Sequence, residues 1–174
     1  MHPVKPDVSV VVIVDYAAGE RETYGSLRQV FPALARQTYL GRVEHLFVES
    51  ARLRDRLPAD VAAILPGLRV VTTDTEDSFA MRNEGGRAAA ADIVAFVDGD
   101  CVPDPEWLQV LVAALQARPD VAAVSGRTRC NFALSHCRRD ITAVHCHYCA
   151  GGITSERQRD KRCGHVLSAH FAAQ

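Results

Sequence analysis

The chain has 174 residues, and none of its apolar runs approaches the roughly 20 residues needed to cross a bilayer. Its opening, Met1-His2-Pro3-Val4-Lys5-Pro6-Asp7, lacks the apolar core of a signal peptide. These absences predict no transmembrane segment and a cytoplasmic domain, either free or resting on the cytosolic face of a membrane. No internal repeat is present, and low complexity is confined to the short alanine run Ala88 to Ala91. No G-x-G-x-x-G turn follows the first apolar run, and Gly85-Gly86 follows a helix instead, which argues against a dinucleotide site. Cysteine is nearly missing from the first 126 residues, where only Cys101 occurs.

What is present is ample apolar material, 48% of the residues against 24% charged, enough for one packed core. The net charge of −1 conceals a split: residues 1–126 hold 12 basic and 18 acidic groups, and residues 127–174 hold 8 and 3. Five of the six cysteines and five of the seven histidines lie in that basic tail. Two parts are therefore expected, 1–126 and 127–174. In the first, apolar β-branched runs recur at Val8 to Val14, Val43 to Val48, Leu68 to Thr72, Ile93 to Val97 and Val121 to Val124. They read as strands buried on both faces. Between them, Leu27, Val30, Phe31 and Leu34 fall on one helical face, with Pro32 expected to kink that helix or mark its start. Asp104-Pro105-Glu106-Trp107 has the form of a helix start, with Asp104 as cap and Leu108, Leu111, Val112 and Leu115 facing a sheet. Alternating strands and helices predict an α/β fold, a mostly parallel sheet flanked by helices, with ligands at the carboxyl ends of the strands.

At the end of the fourth run stands Asp98-Gly99-Asp100. Two carboxylates one glycine apart can converge on a hard divalent cation, Mg²⁺ or Mn²⁺, while Gly99 lets the backbone turn and a diphosphate come close. The same residues would also serve simply to end a strand and cap a turn, so the surrounding sequence has to decide.

That surrounding sequence is informative. Ser78-Phe79-Ala80-Met81-Arg82-Asn83-Glu84-Gly85 resembles the Ala-Arg-Asn-x-Gly helix of glycosyltransferase family 2, and it is followed, as in that family, by an apolar strand and an Asp-x-Asp motif. The resemblance extends to Pro103 and Trp107-Leu108, to the first strand with Tyr16, and to Gln37-Thr38-Tyr39, covering roughly the first 126 residues. Val14 and Ala17 depart from the family's usual proline and asparagine, and Glu49-Ser50 stands where it usually carries aspartates.

The resemblance implies a Rossmann-like GT-A fold, cut short before the acceptor-binding half. It further implies transfer of a sugar from a UDP-sugar or GDP-sugar to a saccharide or lipid-linked acceptor, with inversion at the anomeric centre. Asp98 and Asp100 would hold the metal and the ribose-diphosphate, Tyr16 and Glu49 the base, and Arg82 the nucleotide or the loop around it. Arg82 reads equally as a structural salt bridge on a helix, and Glu49 as a solvated loop residue. Asp74 and Asp77, after the third strand, could also face the nucleotide. The family's catalytic base lies downstream of its Asp-x-Asp, and no residue here is assigned that role, although Ser168-Ala169-His170-Phe171-Ala172 resembles the segment just ahead of it. The alternative is a noncatalytic nucleotide-sugar-binding or interaction module. A haloacid-dehalogenase phosphatase is disfavoured, since its Asp-x-Asp follows the first strand rather than the fourth.

In the tail, Cys146-x-x-Cys149 and Cys163-x-His165 have the spacing of a tetrahedral Zn²⁺ site. Against zinc, the family does not usually carry such a site here, and cytosolic cysteines are more often unpaired than ligating. The basic charge comes without interleaved aromatics, so no nucleic-acid partner is expected.

Overall fold

The computed structural model describes residues 4–14, 20–126 and 166–169. In chain order these form β1 (Val8–Ile13), α1 (Glu20–Ala35), β2 (Val43–Ser50), a 3₁₀ turn (Ala51–Leu53), α2 (Ala59–Ala62), β3 (Arg69–Thr73), α3 (Ser78–Ala88), β4 (Ile93–Asp98), α4 (Trp107–Gln116), β5 (Ala123–Ser125) and β6 (Val166–Ala169). The sheet order is β3-β2-β1-β4-β6-β5. The pairs β1–β2, β2–β3 and β1–β4 are parallel, whereas β6 runs antiparallel to both β4 and β5.

The alternation of strand side chains divides the core. Val8, Val10, Val12 and Val14 pack with Leu27, Val30, Phe31 and Leu34 of α1 and with Leu108, Leu111, Val112 and Leu115 of α4. Val11 and Ile13 point the other way and pack with Leu46, Val48, Phe96 and Met81 of α3. This is the two-residue period expected of strands covered on both faces. From β1 to β3 the chain moves steadily in one direction across the sheet, then β4 lies on the far side of β1. Crossovers of one hand therefore place α3 on the face opposite α1.

Ser9 interrupts the apolar run of β1 and is fully buried. Its hydroxyl donates to Glu44 Oε2 at 2.5 Å and accepts from the Ala91 N–H at 3.0 Å, tying β2 to the connection between α3 and β4.

Several expectations need correction. β3 is not buried on both faces: Val70 is 47% exposed, because β3 lies at the edge of the sheet. β5 is likewise a short edge strand with Ala123 and Ser125 exposed. No strand was expected in the tail, yet Val166–Ala169 forms one between β4 and β5, too short for a pattern to register. Pro32 lies inside α1 and does not mark its start. Finally, the Asp104 carboxylate does not cap α4. The Trp107 N–H meets the Asp104 carbonyl at 3.0 Å in a turn, the helix begins at Trp107, and the Leu108 N–H is taken by Gln37 Oε1 at 2.9 Å.

Candidate functional site

The reversal of strand order falls between β1 and β4, and a crevice at the carboxyl ends of these strands is where open α/β sheets bind ligands. The register sets Asp98 beside Ile13 of β1. The Gly99 N–H donates to the Ile13 carbonyl at 2.7 Å and the Cys101 N–H to the Asp98 carbonyl at 2.9 Å, so Asp98-Gly99-Asp100 turns over the end of β1. Gly99 is needed here for a reason other than backbone turning, since its φ is not positive. A Cβ at this position would lie 3.1 Å from the Ile13 carbonyl oxygen, 3.2 Å from Leu27 Cδ2 and 3.3 Å from Val14 Cγ2. A side chain here would crowd the turn against the Ile13 backbone and two buried side chains, which would have to give by a few tenths of an ångström.

Asp98, next in alternation after the buried Phe96, faces α3. There Arg82 Nη2 meets Asp98 Oδ1 at 2.5 Å, with the arginine side chain 22% exposed and the aspartate 43%. Arg82 Nη1 also donates to the Ser78 carbonyl at 3.3 Å, and the guanidinium lies 5.9 Å from the centre of the Phe79 ring. The salt bridge expected of Arg82 therefore exists, but it joins α3 to the end of β4 rather than two residues of one helix. Its position depends on Gly85, one turn on, where a Cβ would lie 2.4 Å from Val11 Cγ1 and 2.9 Å from Val48 Cγ2. Only a glycine lets α3 come this close to the sheet. Asp100 is exposed.

Glu49, next to last in β2, lies on the opposite face, and the reading of it as a solvated loop residue is overturned by an exposure of 1%. Its Oε2 accepts from the Tyr24 hydroxyl at 2.9 Å and its Oε1 from the Ser50 N–H at 2.9 Å. Burial pushes its carboxyl up to about 7, helped by the nearby Glu76 and opposed by the Ser50 N–H and Arg52. Ser50, one residue on, faces α3, and its hydroxyl reaches Glu76 Oε1 at 3.2 Å, an oxygen that Arg52 Nε also contacts at 2.7 Å. Asp98 and Glu49 thus flank β1 from either side without meeting.

Of the other candidates, Asp77 caps α3, its Oδ1 accepting from the Ala80 N–H at 2.8 Å, and Asp74 is exposed beyond β3. Tyr16 lies outside the described residues, as do Cys146, Cys149, Cys163 and His165 of the zinc reading. The sequence reading missed Tyr24 as the partner of Glu49, although its i, i+3 spacing to Leu27 places it on the buried face of α1. It also missed Ser50, Arg52 and Glu76, which no local pattern marks.

The model of glycosyl transferase family 2 matches residues 11–174. A solved mannosyltransferase from Pyrobaculum calidifontis, in complex with GDP-Man and Mn²⁺, is 27% identical with a TM-score of 0.58, over 72% of this chain and 36% of that one. The S. aureus TarS structure is 21% identical with a TM-score of 0.48, over 70% of this chain and 20% of that one. A curated relative, the glucosyl-dolichyl phosphate glucuronosyltransferase of Haloferax volcanii, is 36% identical over 45 residues, 26% of this chain and 14% of its own length. The chain thus aligns with only a part of each of these relatives. The parallel sheet of β1 to β4 with its flanking helices is similar to the GT-A glycosyltransferase structures. With the match running from the middle of β1 through the Asp98-Gly99-Asp100 turn and into the tail, the chain belongs to glycosyl transferase family 2.

Proposed function

We propose that this chain forms the donor-binding part of a metal-dependent glycosyltransferase that uses a UDP-sugar or GDP-sugar. The observation that carries this reading is the Asp98-Gly99-Asp100 turn at the β1/β4 switch point, with Asp98 held by Arg82. Two carboxylates offering only oxygen suit Mg²⁺ or Mn²⁺. Among the described residues no group of three or more His, Cys, Asp or Glu converges. The Mn²⁺ and GDP-Man bound to the Pyrobaculum enzyme support this choice of cation and donor class.

A cation held at this turn supplies charge against the negative charge that builds on the departing diphosphate. The chain's own residues do the rest of the positioning. Arg82 fixes the Asp98 carboxylate through a charge-assisted hydrogen bond, leaving its other oxygen for the cation and the ribose-diphosphate. Asp100, which is exposed, would hold the cation. Tyr16 serves the base, and Glu49, when ionised, would accept from an imide N–H by giving up one of its buried contacts with the Tyr24 hydroxyl or the Ser50 N–H. Transfer proceeds with inversion by in-line attack of an acceptor hydroxyl, and the group that takes its proton is not assigned to a residue. A lipid-linked acceptor fits the name of the Haloferax relative, and a saccharide is the other class. Residues 1–126 carry the donor site, with 127–174 on the acceptor side and β6 joining the two. Among the described residues no helix is long and apolar enough to cross a membrane.

Calorimetric titration of the protein with UDP and with GDP, each with Mn²⁺ and with EDTA, tests this. The expected outcome is binding of one nucleotide at least tenfold tighter with Mn²⁺. Absence of binding to either nucleotide under both conditions overturns the donor-site reading.

A further inference from the structure

Asp100 makes no hydrogen bond among the described residues, so its position is set by the backbone of residues 99–106 rather than by a side-chain partner. That segment is anchored at its start by the Gly99 N–H on the Ile13 carbonyl, at 2.7 Å. Between its ends the packing is uneven, with Pro103 buried but Val102 53% exposed. Its far end is held by the connection that follows α1. Gln37 Nε2 donates to the Ala33 carbonyl at 3.1 Å and to the Asp104 carbonyl at 2.8 Å, while Gln37 Oε1 accepts from the Leu108 N–H at 2.9 Å. The Thr38 N–H adds a bond to the Pro105 carbonyl at 2.9 Å.

We propose that Gln37 is a positioning residue for the donor site, holding the far end of the 99–106 segment so that Asp100 stays where the cation is bound. This rests on the metal-dependent donor reading above. Both amide hydrogens and the amide oxygen of Gln37 are engaged, and each points at a backbone group of opposite polarity. No other side chain of the same size reproduces that arrangement. An amide is both donor and acceptor, whereas an ionised carboxylate only accepts. Glutamate at this position therefore sets an anionic oxygen against two carbonyl oxygens, loosening Asp104 from α1 while leaving the Leu108 N–H satisfied.

The test is Gln37→Glu, with nucleotide affinity measured with Mn²⁺ and with EDTA well below the melting temperature. Ser9→Ala serves as a control, because it disturbs the opposite side of the sheet and lowers stability without touching this segment. Gln37→Glu is expected to weaken Mn²⁺-dependent nucleotide binding at least tenfold and to leave the metal-free affinity unchanged, while Ser9→Ala changes neither. Should glutamate prevent folding, Gln37→Asn keeps both donors and the acceptor on a stem one methylene shorter and gives a graded version of the same loss. Wild-type Mn²⁺-dependent affinity in the Gln37 variants, or an equal loss in Ser9→Ala, overturns the proposal. A wild-type protein that binds no nucleotide refutes the donor reading itself and takes this inference with it.

Discussion

Glu49→Gln is expected to stabilise the protein at pH 8 by an amount on the order of 3 kcal/mol and to have little effect near pH 4. The reason is the burial of Glu49, 1% exposed, which raises its carboxyl from 4.5 to about 7. The sign follows from linkage. A carboxyl that holds its proton more tightly when folded contributes stability that is complete below the unfolded value, near 4.5, and is lost as the pH rises through about 7. Above that, the folded protein keeps a buried carboxylate that the unfolded chain exposes to water. Glutamine has no charge to bury, and its amide can still accept from the Ser50 N–H and pair with the Tyr24 hydroxyl. His45 works in the opposite direction over the same range, since burial lowers its pKa and favours the neutral ring. The diagnostic quantity is therefore the difference between variant and wild type in urea unfolding from pH 4 to pH 8. Parallel stability curves would show that Glu49 is not buried as an acid.

The second large effect concerns two glycines in helices, for which substitution by alanine has opposite signs. Gly25 lies in α1 with nothing within 4 Å of an added Cβ, so Gly25→Ala is expected to gain about 0.5–1 kcal/mol from helix propensity. Gly85 lies in α3 with the Val11 and Val48 methyl groups 2.4 Å and 2.9 Å from the same added atom. Both valines are fully buried and β-branched, with few rotamers into which to retreat. α3 has to move off the sheet, and the overpacking is expected to cost about 1–3 kcal/mol more than the propensity gain returns. That movement also draws Arg82 away from Asp98, so Gly85→Ala should weaken nucleotide binding as well as lower the Tm, while Gly25→Ala does neither. Thermal unfolding of the two variants side by side checks this, and a Gly85→Ala protein as stable as wild type contradicts the packing described here.

The parts of this structure that could be read from the sequence are those fixed by local periodicity. The apolar runs of β1 and β4 and the i, i+3, i+4, i+7 faces of α1 and α4 report burial through side-chain spacing alone, and all four of Leu108, Leu111, Val112 and Leu115 are buried as that spacing requires. The carboxylate turn at the end of β4 was legible because apolar strand, glycine and paired aspartates are contiguous. What local pattern could not supply was partnership across the fold. Asp104-Pro105 has the composition of a helix cap, but a side chain 67 positions away, Gln37, occupies the Asp104 carbonyl and leads the chain into α4, which begins at Trp107. Glu49 looked solvated because a carboxylate in sequence carries no sign of the tyrosine that will cover it. β3 looked buried because an apolar run does not reveal whether its strand ends up central or at an edge. β6 is four residues that only the neighbouring strands define.

The most direct test of the donor site is Mn²⁺ binding followed by electron paramagnetic resonance of the free ion, with saturating nucleotide, for wild type, Asp98→Asn and Asp100→Asn. The account predicts that wild type binds one Mn²⁺ per chain in a nucleotide-dependent manner. Asp100→Asn should lose about 100-fold in affinity, roughly 2.7 kcal/mol, and Asp98→Asn should also weaken, with both proteins still folded. Mn²⁺ and nucleotide binding at wild-type strength in both variants would contradict the account and leave Asp98-Gly99-Asp100 as no more than the end of a strand.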